Sequence, residues 1–437
     1  MQRLINVVCA VAIALTMMSI TARCDLFGYI SRPEPQFKWT LKGQQSVGAY
    51  RIYDLHLVSQ VWQGIRWEHT IRIFRPAKVQ YPRAAMLFIT GGEPSSSDNE
   101  YGMLVASFIG APFAILYNIP NQPLFGGLTE DELIAHTFTE FMKTGDETMP
   151  LLLPMTKSAV KAMDALQAFS QRQWGRRIDT FVVSGASKRG WTSWLTAVVD
   201  KRVKGVIPIV YDNLNLHAQM PHQLEMWGRY SEQIEEYTRR GLQAQMNTER
   251  GRRLVEIVDP YSYRQRLRMP KLIINGANDR YWTVDALNLY WDALPGEKWV
   301  WYAPNAGHGL DDQRNRAIAT IVAFFHHVVG NRPFPRMQWE HSEKDGKLVL
   351  TVRAQPKPKA VTLWVARSNT TDFRDSKWVP QQMRALGDAF VGEVSAPKKG
   401  FIALFGEAQF TIDGRTFFLS TTIRVAPKLK RSRQSTR

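Results

Sequence analysis

Three residues far apart in the chain carry the side chains of nucleophilic catalysis: Ser187, Asp279 and His308. Ser187 lies in FVVSGASKRGW, residues 181–191, where an apolar run ends in small residues and passes into a basic, helix-compatible segment. A serine at such a strand-to-helix turn is held clear of its sheet, with the N–H groups of the new helix aimed at whatever it attacks. Taken alone, the stretch reads equally as a Ser/Gly turn after a buried strand. Asp279 follows Asn275-Gly276-Ala277-Asn278, and His308 follows Pro304-Asn305-Ala306-Gly307. Each also has a plain structural role open to it, Asp279 as a helix cap and His308 as a loop histidine. Together they offer a nucleophile, an acid that orients a ring, and a base that takes the serine proton and returns it to the leaving group.

The elements that must hold these residues are legible as buried strands alternating with helices. Residues 84–90, 112–117, 181–186, 205–211, 271–275 and 298–302 are nearly continuous apolar runs, the pattern of parallel strands covered on both faces. Pro208 sits awkwardly inside one of them. Helices are expected at 156–171, beyond Ser187, at 284–293 and at 314–329, and two half-buried antiparallel strands at 50–58 and 65–74. Ligands of such sheets bind beyond the carboxyl ends of the strands. Ser187, Asp279 and His308 each follow a strand, in the chain order of α/β-hydrolases. A fourth strand end carries Gly91-Gly92-Glu93, where the N–H of Gly92 or Glu93, with that of Lys188, is expected to bind an oxyanion at about 3 to 4 kcal/mol per donor. Residues 212–268 interrupt the alternation with a polar, helix-favouring insertion, expected to form a cap over the site.

The resulting expectation is an α/β-hydrolase fold, a mostly parallel sheet flanked by helices with a helical cap insertion, over residues 25–332. Pro333 and Pro335 mark a boundary. Short strands at regular spacing then predict a C-terminal β-sandwich, Ig-like, over 336–427, followed by a basic tail at 428–437. Residues 1–24 read as a signal peptide: a positive start, an apolar run from Leu4 to Ile20, and small residues before Asp25. The protein is therefore expected to be secreted or periplasmic, with no transmembrane anchor after cleavage. Cys9 and Cys24 both fall in that leader, which excludes cysteine catalysis and cysteine-held zinc in the mature chain. No metal or cofactor is expected. The net charge of +17 suits contact with an anionic surface or polyanion, but no motif for a specific nucleic acid accompanies it.

SGASKRGWTSWL, IINGANDRYW and NAGHGLDD together resemble the PhoPQ-activated pathogenicity-related protein family over roughly residues 30 to 430. The resemblance implies an exported α/β-hydrolase-like protein with Ser187, Asp279 and His308 at the triad positions, and supplies no substrate. One departure stands out: the G-x-S-x-G elbow expects a small residue two after the serine, and here Arg189 holds that place with Gly190 following. Lys188 beside the serine is a candidate to stabilise an oxyanion or hold a substrate carboxylate. The same serine-then-cation order is similar to that of glucuronoyl-esterase-like hydrolases, in which the acid can follow a different strand, so Asp212 stands in reserve beside Asp279. Glu93 and Glu100 are candidate receptors for a substrate amine. The expected function is cleavage of a small-molecule ester or a peptide bond through an acyl-enzyme. The alternative is a secreted signalling or binding protein on the same scaffold.

Overall fold

The computed structural model describes residues 25–428; the expected signal peptide and residues 429–437 of the basic tail lie outside the described residues. After a short helix α1 (Leu26–Ser31), strands β1 (Lys38–Val47), β2 (Tyr50–Trp62) and β3 (Ile65–Arg75) form an antiparallel meander. Along β3 buried and partly exposed residues alternate, as a period-2 apolar pattern requires.

The continuous apolar runs become β4 (Ala84–Ile89), β5 (Phe113–Leu116), β6 (Thr180–Ala186), β7 (Val203–Ile209), β8 (Lys271–Gly276) and β9 (Lys298–Ala303). They follow β3 in the spatial order β5, β4, β6, β7, β8, β9, all mutually parallel. Helices α2 (Ser97–Ile109), α4 (Leu152–Trp174), α5 (Lys188–Val199) and, later, α10 (Arg314–Gly330) cover the two faces, while α3 (Glu130–Thr144) packs against the helices inserted after β7. Leu87 and Val183 face a core with Leu166 of α4 and Trp194 of α5, while their neighbours Met86 and Val182 face another with Ile109 of α2 and Phe325 of α10. Each fully buried side chain of this size contributes about 1.5 to 3 kcal/mol. The two-sided burial is why these strands carry no polar alternation.

Pro208 is accommodated within β7. Pairing of β7 with β8 is confined to Val206↔Lys271 and Ile209↔Ile274, on either side of the residue that has no N–H to give. The insertion after β7 contains α6 (Leu216–Trp227), α7 (Glu235–Thr238), α8 (Leu242–Gln245) and α9 (Glu249–Val258). The helix expected over 284–293 is only a 3₁₀ turn at Ala286–Leu289: the backbone closes mainly over three residues, as in Ala286 N–H to the Thr283 carbonyl and Tyr290 N–H to the Leu287 carbonyl, while the side chains of Asn288 and Asp285 reach the Ile423 carbonyl and His222.

The C-terminal strands are β10 (Arg336–Lys344), β11 (Lys347–Gln355), β12 (Ala360–Ser368), β13 (Val379–Gln382), β14 (Arg384–Leu386), β15 (Ala389–Ser395), β16 (Phe401–Ile412), β17 (Arg415–Ser420) and β18 (Arg424–Ala426). One of these is not short: β16 runs unbroken over twelve residues. β10, β11, β15 and β14 form a separate antiparallel sheet, but β17, β16, β12 and β13 extend the main sheet beyond β9. The junction is the antiparallel pair Ser420↔Val300, with the Ser420 hydroxyl accepting from the Tyr302 N–H. Leu350 and Val352 of the small sheet pack with Leu363 and Leu404 of the extended one in the core that also holds α10.

Candidate active site

Ser187 caps the N-terminus of α5 directly after β6, with φ 58° and ψ −128°. A non-glycine residue held in this region costs about 1 to 3 kcal/mol, and persists only where the surroundings over-determine it. Here the Ser187 N–H is bound to the Ile209 carbonyl of β7. The turn closes because Gly185 lets α5 approach: a Cβ there would lie 2.6 Å from the Arg189 carbonyl oxygen. The first N–H groups of α5, that of Lys188 among them, have no intrahelical acceptor.

Arg189 does not point outward. Its guanidinium is buried, donating to the Ile119 carbonyl at 2.6 Å and, as a two-pronged pair, to Glu130 at 2.7 and 2.6 Å. The space comes from Gly91, where a Cβ would stand 1.7 Å from Arg189 Nη2. The small residue that the elbow needs is thus supplied from the neighbouring strand end. Lys188 is buried too, its Nζ 2.8 Å from both Glu130 and Asp131 at the start of α3. Burial would raise the Glu130 carboxyl, but the hydrogen bonds and charge of Arg189 and Lys188 outweigh it and hold the group well below the usual carboxylate range. The cations at the elbow are therefore matched by the carboxylates of α3.

Asp279 and His308 meet: the His308 Nδ1 lies 2.8 Å from Asp279 Oδ2, and Asp279 Oδ1 accepts from the Tyr281 N–H at 2.9 Å. The Tyr281 ring lies over the imidazole with centroids 4.2 Å apart. His308 Nε2 is buried with no hydrogen-bond partner among the described residues, and it does not bond Ser187. Strand register puts these groups along one edge, since Ala186, Ile209, Ile274 and Trp301 are neighbours in one row across β6, β7, β8 and β9. Asp212, after β7, is not the partner of His308. It accepts the Tyr290 hydroxyl at 2.5 Å, and burial pushes its carboxyl up to about 7 despite that bond.

A cavity with about 840 Å³ of empty space, its open mouth included, lies between the elbow and the insertion. Ser187, Lys188 and Tyr281 line it together with apolar side chains of α3, α5, α6, α8 and α9. One wall is an aromatic ladder: Trp191 stacks on Tyr211 at 5.1 Å, Trp282 meets Tyr211 edge-on at 5.8 Å, and the Trp191 N–H donates to the Val258 carbonyl. The insertion is fastened to α3 by the Tyr237 hydroxyl, which donates to Asp131 at 3.0 Å.

The remaining candidates do not line this cavity. Glu93 and Glu100 are exposed, Glu100 on α2, and neither lines it. Gly92, also exposed, follows β4 beside β6 and its carbonyl accepts from the Asn118 N–H. Sequence reading missed Glu130, Asp131 and Tyr281, although three consecutive acids at 130–132 were a visible sign of an anionic helix start. It also missed the segment between β12 and β13. Asn278, next to Asp279, donates its amide to the carbonyls of Phe373, Arg374 and Ser376 at 3.3, 3.2 and 2.7 Å. Asn305, in the His308 loop, exchanges two hydrogen bonds with the Trp378 backbone. Arg374 reaches the insertion through Glu232 and lies over the Trp227 ring. No element announced these contacts, because they are made by an irregular segment using backbone carbonyls.

A parallel sheet with a strained serine at the β6–α5 turn, an acid after β8 and a histidine after β9 defines an α/β-hydrolase fold. The chain belongs to the PhoPQ-activated pathogenicity-related protein family, whose model matches residues 26–374. It is 31% identical over 440 residues to autocrine proliferation repressor protein A of Dictyostelium discoideum, covering 92% of this chain and 88% of that protein. Among solved structures it is similar to acetyl xylan esterase 1 from a Thermoanaerobacterium species (TM-score 0.45, 12% identity, 69% of this chain and 93% of that one). It is also similar to an acylaminoacyl peptidase from Pyrococcus horikoshii (TM-score 0.42, 12% identity, 68% and 50%). No helix among the described residues is long and apolar enough to cross a membrane.

Proposed function

We propose that the protein is an exported serine hydrolase that cleaves an ester or amide bond through an acyl-enzyme. The observation that carries this reading is the strained Ser187 at the head of α5, with a paired His308 and Asp279 along the same sheet edge. His308 Nε2 takes the Ser187 proton as Oγ adds to the carbonyl carbon, and the Asp279 carboxylate stabilises the imidazolium. The Lys188 N–H, with one from the Gly92–Glu93 turn, receives the oxyanion. Collapse expels the leaving group with the proton from His308, and a water activated by the same nitrogen releases the acid and frees Ser187. The open hydrogen-bond position on Nε2 supports this role, since such contacts commonly tighten only when substrate binds.

The relative's name favours a second reading, in which the protein acts on cells as a signal with no turnover. A fluorophosphonate probe separates the two: labelling of the wild type and loss of it in Ser187→Ala is expected. Equal labelling of both proteins sinks the assignment. A Ser187→Ala protein that still slows cell proliferation as the wild type does would establish the signalling reading.

A further inference from the structure

The cavity beside Ser187 is built for one kind of group, and we propose that it holds an uncharged, apolar acyl chain of the substrate; this rests on the serine hydrolase reading. Phe138, Trp191, Met220, Leu242 and Leu254, from five different helices, supply its walls. The charged groups in and beside its lining are already satisfied. Asp131 takes the Lys188 ammonium on one oxygen and the Tyr237 hydroxyl on the other, and Glu130 takes Arg189 and Lys188. A substrate carboxylate would find no unmatched cation there, and a substrate amine no unmatched carboxylate. A charge carried into such walls pays a desolvation cost with nothing to offset it. The Oδ1 atom of Asn213, buried at the cavity with no hydrogen-bond partner, is a neutral acceptor that suits an amide or hydroxyl and not an ion pair. What the walls reward is apolar surface.

The test is an acyl series with one leaving group: the p-nitrophenyl esters of acetate, butyrate and hexanoate, and the mono-ester of adipate, which is the hexanoyl chain ending in a carboxylate. Each methylene taken into the cavity is worth up to about fourfold in kcat/KM. Hexanoate is therefore expected to exceed acetate by at least about tenfold, with the adipate ester no better than acetate. Leu254→Trp and Leu242→Trp, which fill the cavity from two helices, are each expected to bring the hexanoate-to-acetate ratio below about threefold. The ratio is internal to each protein, so a partly misfolded variant does not mimic the result. Binding to Ser187→Ala, read as quenching of tryptophan fluorescence, should be tighter for the hexanoate ester than for the acetate ester. A flat series in a protein that turns over ester and takes the probe would overturn the acyl-chain inference and leave the hydrolase reading. Tighter hexanoate binding without turnover or labelling would keep an apolar occupant and remove the hydrolase. Absence of turnover, labelling and binding preference removes both.

Discussion

Two carboxylates follow adjacent strands near the elbow, and their surroundings give them different work. Asp279 holds the His308 ring, while Asp212 is shut away with the Tyr290 hydroxyl. Asp279→Asn is expected to lower kcat about 10³ to 10⁴-fold, because the amide no longer fixes the imidazole or stabilises its charge. Asp212→Asn, which keeps an oxygen for Tyr290, should cost less than about tenfold in kcat; an equal loss in both variants would refute this division. Asp212 instead sets a stability trend. Its folded value of about 7 stands above the ordinary 3.8, so between those values the folded chain keeps a proton that the unfolded chain has released. The stability that Asp212 contributes therefore falls as pH rises across that window. The melting temperature of Asp212→Asn should lose part of that decline when compared with wild type over the same range; an unchanged slope would dismiss it.

At the scale of elements, the residues 369–378 between β12 and β13 brace the loops that carry Asp279 and His308. Asn278→Ala removes the amide that reaches Phe373, Arg374 and Ser376. The expected outcome is a loss of about 1 to 3 kcal/mol in stability. A fall of about ten- to a hundredfold in kcat should accompany it, larger than any change in KM, since Asn278 positions Asp279, which orients His308, and does not itself line the cavity. Wild-type kcat in Asn278→Ala would show that the brace is only structural. This dependence also marks the limit of what the chain disclosed. FVVSGASKRGW announced both the strand and the serine because burial on two faces and a tight turn leave a local signature. IINGAND and NAGHG did the same for Asp279 and His308. The fate of Arg189 was not local: the space for it comes from Gly91, nearly a hundred residues away, and its counter-charge from α3. Nor did the run at 284–293 reveal that its backbone closes in 3₁₀ turns, with its polar side chains reaching His222 and Ile423.

Across the whole molecule the C-terminal strands are not an appendage on a tether. β17 extends the sheet past β9, and the buried Glu407 of β16 accepts from Trp301 of β9, Arg316 of α10 and Trp364 of β12. Residues of β9, α10, β11 and β16 also share one apolar core. Calorimetry should therefore record a single unfolding transition, and two resolved transitions would contradict a shared core. The brace at 369–378 has a further consequence, which concerns time. A ribosome delivers the N-terminus first. A nascent chain that has emerged as far as Pro335 already holds its serine, its acid and its histidine, yet lacks the segment that locks the last two loops. The candidate site is finished late, by a segment that appears only well after its histidine.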